Sequence, residues 1–195
     1  MTASDGRQGQ GAGTPVPRSA SSVPAAGLPD YAELRCVSTF SFLVGASQPE
    51  ELVERAHKQG YRALALTDEC SVAGVVRAHV AAKKIGLKLL IGSQFSVAVP
   101  EPSGDDAPGP FSLGVLACNL NGYGNLCEFI TKLRRASEKG TYHLDLGDIA
   151  SDELADCVVV ASPVRGSTDA QLVGLARWLL THFTGRCWLG VELLR

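Results

Sequence analysis

The chain has 195 residues and is 45% hydrophobic, which suits one globular domain with a substantial core. Its formal net charge of -2 excludes an overall basic field of the kind that binds nucleic acid without regard to sequence. No apolar run approaches the roughly 18 residues of a membrane span, and the six cysteines form no CxxC pair. We therefore expect a protein of the reducing cytoplasm with no membrane partner and no disulfide framework.

Residues 1–29 are rich in Gly, Pro and Ser and contain almost no large apolar side chain. Ordering such a segment costs conformational entropy and buries little in return. We therefore predict a disordered tail over 1–29 and a folded domain over 30–195.

From residue 31 onward, short apolar runs alternate with amphipathic helical periods. The apolar runs predict six strands, at 31–37, 62–67, 87–99, 111–118, 156–162 and 187–193. The helical periods predict helices at 49–60, 72–86, 124–140 and 169–183. This alternation is typical of βα units and indicates an α/β fold with a mainly parallel sheet, either open or closed into a barrel.

Local signals give more detail. Ser47 and Glu50 have the S-x-x-E spacing of a capping box, and the glycines of GYGNL, at 122–126, indicate a turn. Functional side chains of parallel α/β folds collect where strands end, because the loops there surround one mouth. This rule selects four places: 35–38, 67–69, 92–94 and 118–119.

Two long segments carry a resemblance. The stretch YAELRCVSTFSFLVGASQPEELVERAHKQGYRALALTDECSVAGVVRAHVAAKKIGLKLLIGSQF resembles the start of the polymerase and histidinol phosphatase (PHP) domain of bacterial DNA polymerase III α subunits. LACNLNGYGNLCEFITKLRRASEKGTY continues the likeness, and TDECSVAGVVRAH resembles the error-prone branch of that family. The resemblance implies a distorted seven-stranded βα barrel at the N-terminus of a longer polymerase, here truncated to about six strands.

The same resemblance implies partners and a process. The remaining polymerase domains would lie against this one, and DNA would be reached through the parent polymerase. Resemblance to the error-prone members of the family implies a nucleotidyltransferase that acts in DNA replication and damage-induced repair synthesis.

Intact PHP sites bind divalent metals through His, Asp and Glu, and the resemblance locates the corresponding positions. The family's H-x-H pair aligns with Arg35 and Val37, neither of which donates a lone pair to a metal. Gln94 and Ser112 align with a Glu and a His of the family. Asp68 and Glu69, which follow the second strand, are the carboxylates left to hold a metal.

Two interpretations of these carboxylates stay open. They are weak metal ligands, or Asp68 caps the helix that follows while Glu69 is solvated or paired with an arginine. Arg35 is the arginine placed to form such an ion pair across the barrel mouth.

Two functions also stay open. The chain is a non-catalytic platform for the polymerase, or it is a metal-dependent phosphoesterase or 3′–5′ exonuclease using manganese, zinc or magnesium. The ligand losses favour the platform, and we expect no cofactor and no activity from this chain by itself. A third alternative is a stand-alone interaction protein left by truncation of a polymerase gene.

A short basic run on the third helix contains Lys132, Arg134 and Arg135. Such a run is usually a solvated helix face, and a phosphate contact is the alternative. We interpret it as a solvated face.

Overall fold

A computed structural model describes residues 30–100 and 107–191 of the chain. The predicted tail at 1–29 lies outside the described residues, so the domain boundary at 29/30 stays a prediction. The described strands are β1 (Ala32–Cys36), β2 (Ala63–Leu66), β3 (Lys88–Val97), β4 (Phe111–Ala117), β5 (Cys157–Pro163) and β6 (Cys187–Leu189). The described helices are α1 (Pro49–Lys58), α2 (Val75–Ile85), α3 (Leu120–Ala136) and α4 (Asp169–His182), with a short 3₁₀ turn at Leu146–Asp148.

The six strands form one sheet in the order β1-β2-β3-β4-β5-β6. β1, β2 and β3 pair in parallel, as do β5 and β6, whereas β4 is antiparallel to both of its neighbours. The result is a curled, open half-barrel, which confirms the predicted α/β class and the six strands of an incomplete barrel. The prediction of a mainly parallel sheet holds for three of the five strand pairs.

Burial explains why these segments are strands. Every residue of β2 is buried, as expected for a parallel strand covered on both faces. In β4 and β5 buried and half-buried residues alternate, which is the two-residue period of a strand with one face on the main core.

The core has two parts that flank the sheet. One lies between the parallel strands and helices α1 and α2, and includes Val53, Leu64, Leu66 and Ala78. The larger one packs β3, β4 and β5 against α3 and α4 and contains four phenylalanines: Phe95, Phe111, Phe129 and Phe183. The two helix layers thus hold the strands whose ends form the candidate site.

The N-cap of α1 is Gln48, one residue later than the predicted cap at Ser47. Pro49 occupies its first turn, and the backbone N–H of Gln48 donates to Glu51 (2.8 Å), so the predicted capping box at Ser47 and Glu50 is wrong. Proline at the first helical position fixes the helical φ and keeps the preceding residue extended, which sets the boundary. Glu50 is instead ion-paired with Arg77 of α2.

Helix α3 begins earlier than predicted, so the turn assigned to 122–126 is wrong. The side chain of Asn119 accepts from the N–H of Gly122 (2.9 Å) and caps the helix at Leu120. A Cβ on Gly122 would lie 2.1 Å from the carbonyl oxygen of Asp156. The glycine is therefore needed for close packing inside a helix and does not signal a turn.

The antiparallel direction of β4 corrects one predicted site. Since β4 runs against its neighbours, Cys118 and Asn119 at its end lie at the opposite edge of the sheet from the ends of β1, β2 and β3. Ser112, near the start of β4, takes their place at the mouth.

The six cysteines are all free thiols, as predicted, although Cys118 is exposed and only Cys70 and Cys157 are fully buried. Among the described residues, no helix has the length and apolar character needed to cross a membrane.

Candidate functional site

The ends of β1 and β2 meet the middle of β3 and the start of β4 at one edge of the sheet. We call this edge the mouth site and define it by Arg35, Val37, Asp68, Glu69, Gln94 and Ser112. β2 is short, so Glu69, just beyond it, forms a parallel bridge with Gln94 inside β3. In the next strand pair, Ser96 lies opposite Ser112. The fold thus brings Arg35, Asp68, Glu69, Gln94 and Ser112 together. Val37 lies directly after β1, and the functional role of all six stays a prediction.

Asp68 is 1% exposed, and its carboxylate is held by the loop that follows β1. The backbone N–H of Ser38 donates to Oδ1 (2.7 Å) and its hydroxyl donates to Oδ2 (2.8 Å). The hydroxyl of Ser41 donates to Oδ1 as well (2.7 Å). Both carboxylate oxygens therefore bind protein donors. The predicted helix-capping role of Asp68 is wrong, because Gly74 is the N-cap of α2 and no side chain caps that end.

Glu69 is also surrounded by donors. The Gln94 amide donates to Oε2 (2.9 Å), and the hydroxyls of Ser96 (3.1 Å) and Tyr142 donate to Oε1. Burial, followed by the hydrogen bond to Glu69, raises the pKa of Tyr142 well above its usual value. The phenol therefore stays protonated at neutral pH and remains a donor to the carboxylate.

Arg35 contacts the mouth site through Gln94. Its Nε donates to Oε1 of Gln94 (2.9 Å), and its Nη2 donates to the hydroxyl of Ser112 (3.2 Å). Because the same amide donates to Glu69, Gln94 bridges the guanidinium and the carboxylate. The ion pairs found among the described residues do not join Arg35 to Asp68 or Glu69, so the amide bridge takes the place of the predicted ion pair.

Comparison with known families identifies the domain. The family model described as "PHP domain" matches residues 33–171. The chain belongs to the PHP domain family. The match includes all six mouth-site residues, so the positions inferred by resemblance lie within a PHP domain.

Curated relatives refine this assignment. The chain is 50% identical over 170 residues to the error-prone DNA polymerase of Dechloromonas aromatica, covering 85% of this chain and 15% of the relative. It is 51% identical over 175 residues to the error-prone DNA polymerase of Bordetella parapertussis, covering 86% of this chain and 16% of the relative. The chain thus spans about one sixth of the length of these relatives.

A solved structure supports the fold of the PHP domain. A candidate metal-dependent phosphoesterase from Bifidobacterium adolescentis superposes with a TM-score of 0.57 at 18% identity, covering 82% of this chain and 76% of the other. At this identity the likeness establishes shared architecture.

The residues of this PHP mouth site do not fit a catalytic metal. Such a metal needs about three protein donors and one open position. Only Asp68 and Glu69 among the mouth-site residues carry a carboxylate, and each of their four oxygens already accepts at least one hydrogen bond. Burial raises the pKa of Cys36 and of Cys70 to about 11, so neither thiol ionises at neutral pH. Among the described residues, no group of three or more His, Cys, Asp or Glu side chains is placed to hold a metal ion. That the chain binds no metal stays a prediction.

Several hydrogen-bond partners of the mouth-site residues were not predicted from the sequence. Ser41 follows β1, and Ser96 lies within β3. A single serine at either position carries no specific signal. Tyr142 is separated from Glu69 by 73 residues. The serine spacing of S-T-F-S after β1 is the one local pattern that could have identified donors to Asp68.

The basic run of α3 is also explained by contacts. Lys132 pairs with Glu153 (2.6 Å), and Arg134 donates to the carbonyl oxygens of Cys70 (3.2 Å) and Glu69 (3.3 Å). Arg134 therefore ties α3 to the segment after β2, and the prediction of a solvated face holds only for part of the run.

Proposed function

We propose that this chain is the N-terminal PHP portion of an error-prone DNA-directed DNA polymerase, acting in the cytoplasm in replication and damage-induced repair synthesis. Identity of about 50% to such polymerases over 85% of the chain supports this proposal. The nucleotidyl transfer itself would belong to the remaining polymerase domains, since the mouth-site residues are not suited to bind a nucleoside triphosphate and its metals.

Within that polymerase, the PHP portion serves as a structural platform without catalysis of its own. One observation carries this proposal: both oxygens of Asp68 are hydrogen-bonded to Ser38 and Ser41 in a buried position. Oδ1 accepts two of these bonds, which occupies both of its lone pairs, and Oδ2 accepts one in a side chain that is 1% exposed. The carboxylate has become an anchor for the loop after β1.

The anchored loop supplies a surface for the platform. Its tip exposes Phe42 (84%), Leu43 (91%) and Val44 (68%). A Cβ on Gly45 would lie 1.9 Å from the carbonyl oxygen of Ser38, so the loop closes tightly on itself. An exposed apolar tip on a tightly closed loop is suited to pack against another domain, and the remaining polymerase domains are the proposed partner.

The platform is tested by assays of hydrolysis and metal content on the purified chain. The substrates are labelled single-stranded DNA and a generic phosphomonoester, each with manganese, zinc or magnesium. We expect no turnover and less than one tenth of a metal ion per chain. Turnover that requires metal and disappears in a variant carrying Asp68→Ala and Glu69→Ala would favour the alternative, a PHP phosphoesterase or exonuclease.

The role in a polymerase is tested separately with a chimera. The chain replaces its matched segment in the Dechloromonas aromatica error-prone polymerase, which shares 50% identity with it. We expect primer extension by the chimera with the wild-type loop, and loss of extension when Phe42 and Leu43 are changed to Ser. The matched control changes Val173, exposed on α4, to Ser and should leave extension unchanged. Equal primer extension with and without the two loop substitutions would refute the proposed packing surface.

A further inference from the structure

The edge of the sheet opposite the mouth site is rich in basic residues. Helices α1 and α2 end at this edge, and strands β2 and β3 begin there. Six of the chain's 18 Lys and Arg residues lie along it, and we call them the basic rim: Arg55, Lys58, Arg62, Lys83, Lys84 and Lys88.

Packing brings these residues together. The ion pair between Glu50 and Arg77 aligns the starts of α1 and α2, and Glu54 and Lys84 line one groove between the two helices, so the helices run side by side and end together. Ala63 is the register partner of Lys88, which places Arg62 next to it.

The cations of the basic rim face solvent, and five of the six have no ion-pair or hydrogen-bond partner for the side chain among the described residues. All six are exposed, and Arg62 forms an ion pair with Asp30 (3.5 Å). Within the ranges 30–100 and 107–191, the other five make no ion pair and no side-chain hydrogen bond. Elsewhere the exposed cations Arg77 and Lys132 do pair with glutamates.

Helix dipoles explain only part of this charge. Cations in the last turn are favourable because each helix C-terminus carries about half a negative charge. The two helix ends therefore offset roughly one of the five unpaired cations, and the nearby Glu54 offsets another. A net positive patch remains in a chain whose formal charge is -2.

We propose that the basic rim binds the phosphate backbone of DNA without regard to sequence. Lysines predominate in it, and an ammonium on a flexible stem meets phosphates as an adaptable point charge. The rim lies at the opposite end of the strands from the mouth site, so DNA contact there needs neither a metal nor the mouth-site residues. The choice of DNA over another polyanion rests on the proposed function as part of a polymerase.

The test is the salt dependence of DNA binding by the intact chain. Fluorescence anisotropy of a labelled 25-base-pair duplex is measured at several NaCl concentrations from about 20 to about 200 mM, where logarithmic affinity falls with a slope of about -0.9 per phosphate neutralised. For five contacts we expect a slope of about -4.5. The magnitude of this slope should be lower by about 2.7 in the triple variant Lys83→Ser, Lys84→Ser, Lys88→Ser.

A matched control removes three exposed cations from other surfaces: Arg135→Ser, Lys139→Ser, Arg165→Ser. The slope of this control should stay close to that of the parent chain. A second rim variant, Lys83→Glu with Lys84→Glu, changes only the exposed end of α2 and provides the same test if the triple variant unfolds. Melting temperatures verify that each protein is folded.

Three results would refute the proposal. These are no binding to the duplex at about 20 mM salt, equal losses in the rim variant and the control, or binding to phosphatidylserine vesicles but not to the duplex. The hydrolysis and chimera experiments test the proposed function by other readouts, so either proposal can fail while the other stands.

Discussion

Charged side chains at the two edges of this sheet differ in whether they bind other groups of the protein. At the mouth site, Asp68 is buried and Glu69 half-buried, and both bind donors from the protein itself. At the basic rim, five cations face solvent without a partner in the part of the chain that the structure describes. The comparison shows that charged side chains do not by themselves mark a site for a ligand, because what matters is whether their hydrogen-bonding capacity is already used.

The largest effect should follow removal of the buried carboxylate. Asp68→Ala leaves the N–H of Ser38 and the hydroxyls of Ser38 and Ser41 without their acceptor. Unpaired buried donors cost about 1 to 3 kcal/mol each, so we expect the free energy of unfolding to fall by about 4 kcal/mol. Urea denaturation measures this change.

Asp152→Ala is the control for that substitution, since Asp152 is an exposed aspartate on the loop before β5. It should change the free energy of unfolding by less than about 0.5 kcal/mol. Equal effects of the two substitutions would show that Asp68 is not the anchor of its loop.

An alkaline pH series tests how well the structure beside the mouth site is shielded from water. Burial is the main cause that raises the pKa of Cys36 and of Cys70 from 9.0 to about 11. The unfolded chain therefore releases these protons at lower pH than the folded chain. Their contribution to stability is complete below pH 9 and is lost as the pH rises through about 11.

Two thiols shifted by about two pKa units each correspond to a fall of at most about 5 kcal/mol in the free energy of unfolding across that window, and solvent screening of the half-buried Cys36 makes the expected fall smaller. Urea denaturation at a series of pH values measures the fall. The variant Cys36→Ala, Cys70→Ala should show a smaller fall than the parent chain, and an identical pH dependence would indicate that the thiols beside the mouth site are not shielded from water.

A smaller effect should follow loss of one donor to Glu69. Tyr142→Phe keeps the ring, which packs edge-on against Phe95, but removes the hydroxyl that donates to the carboxylate. We expect a loss of about 1 kcal/mol in the free energy of unfolding. Tyr61→Phe serves as the control and should cost less than half as much, because Tyr61 contacts Tyr31 through its ring.

Much of the fold was predictable because it depends on local patterns. The apolar run at β2 and the amphipathic period of α2, which ends at the left-handed Gly86, are strong signals within a few residues of sequence. The direction of β4 was not predictable in this way. It depends on a β3 strand long enough to pair with β2 in its first half and with β4 in its second.

The mouth site was predictable in its membership and not in its bonding. Strand-end position and resemblance selected Arg35, Asp68, Glu69 and Gln94. The partners of these residues come from distant segments and from serines that carry no signal of their own, such as Ser41. The sequence therefore indicated which groups meet, whereas the geometry was needed to see that they bind one another.

The most direct test of the mouth site is the melting temperature of the chain with excess EDTA and with about 1 mM manganese chloride. A ligand bound only by the folded state stabilises it by about 2.7 kcal/mol at one hundred times its dissociation constant, which would raise the melting temperature by several degrees. Because the carboxylate oxygens already bind protein donors, we predict melting temperatures within about 1 °C of each other. A rise of several degrees with manganese that Glu69→Ala abolishes would contradict the account.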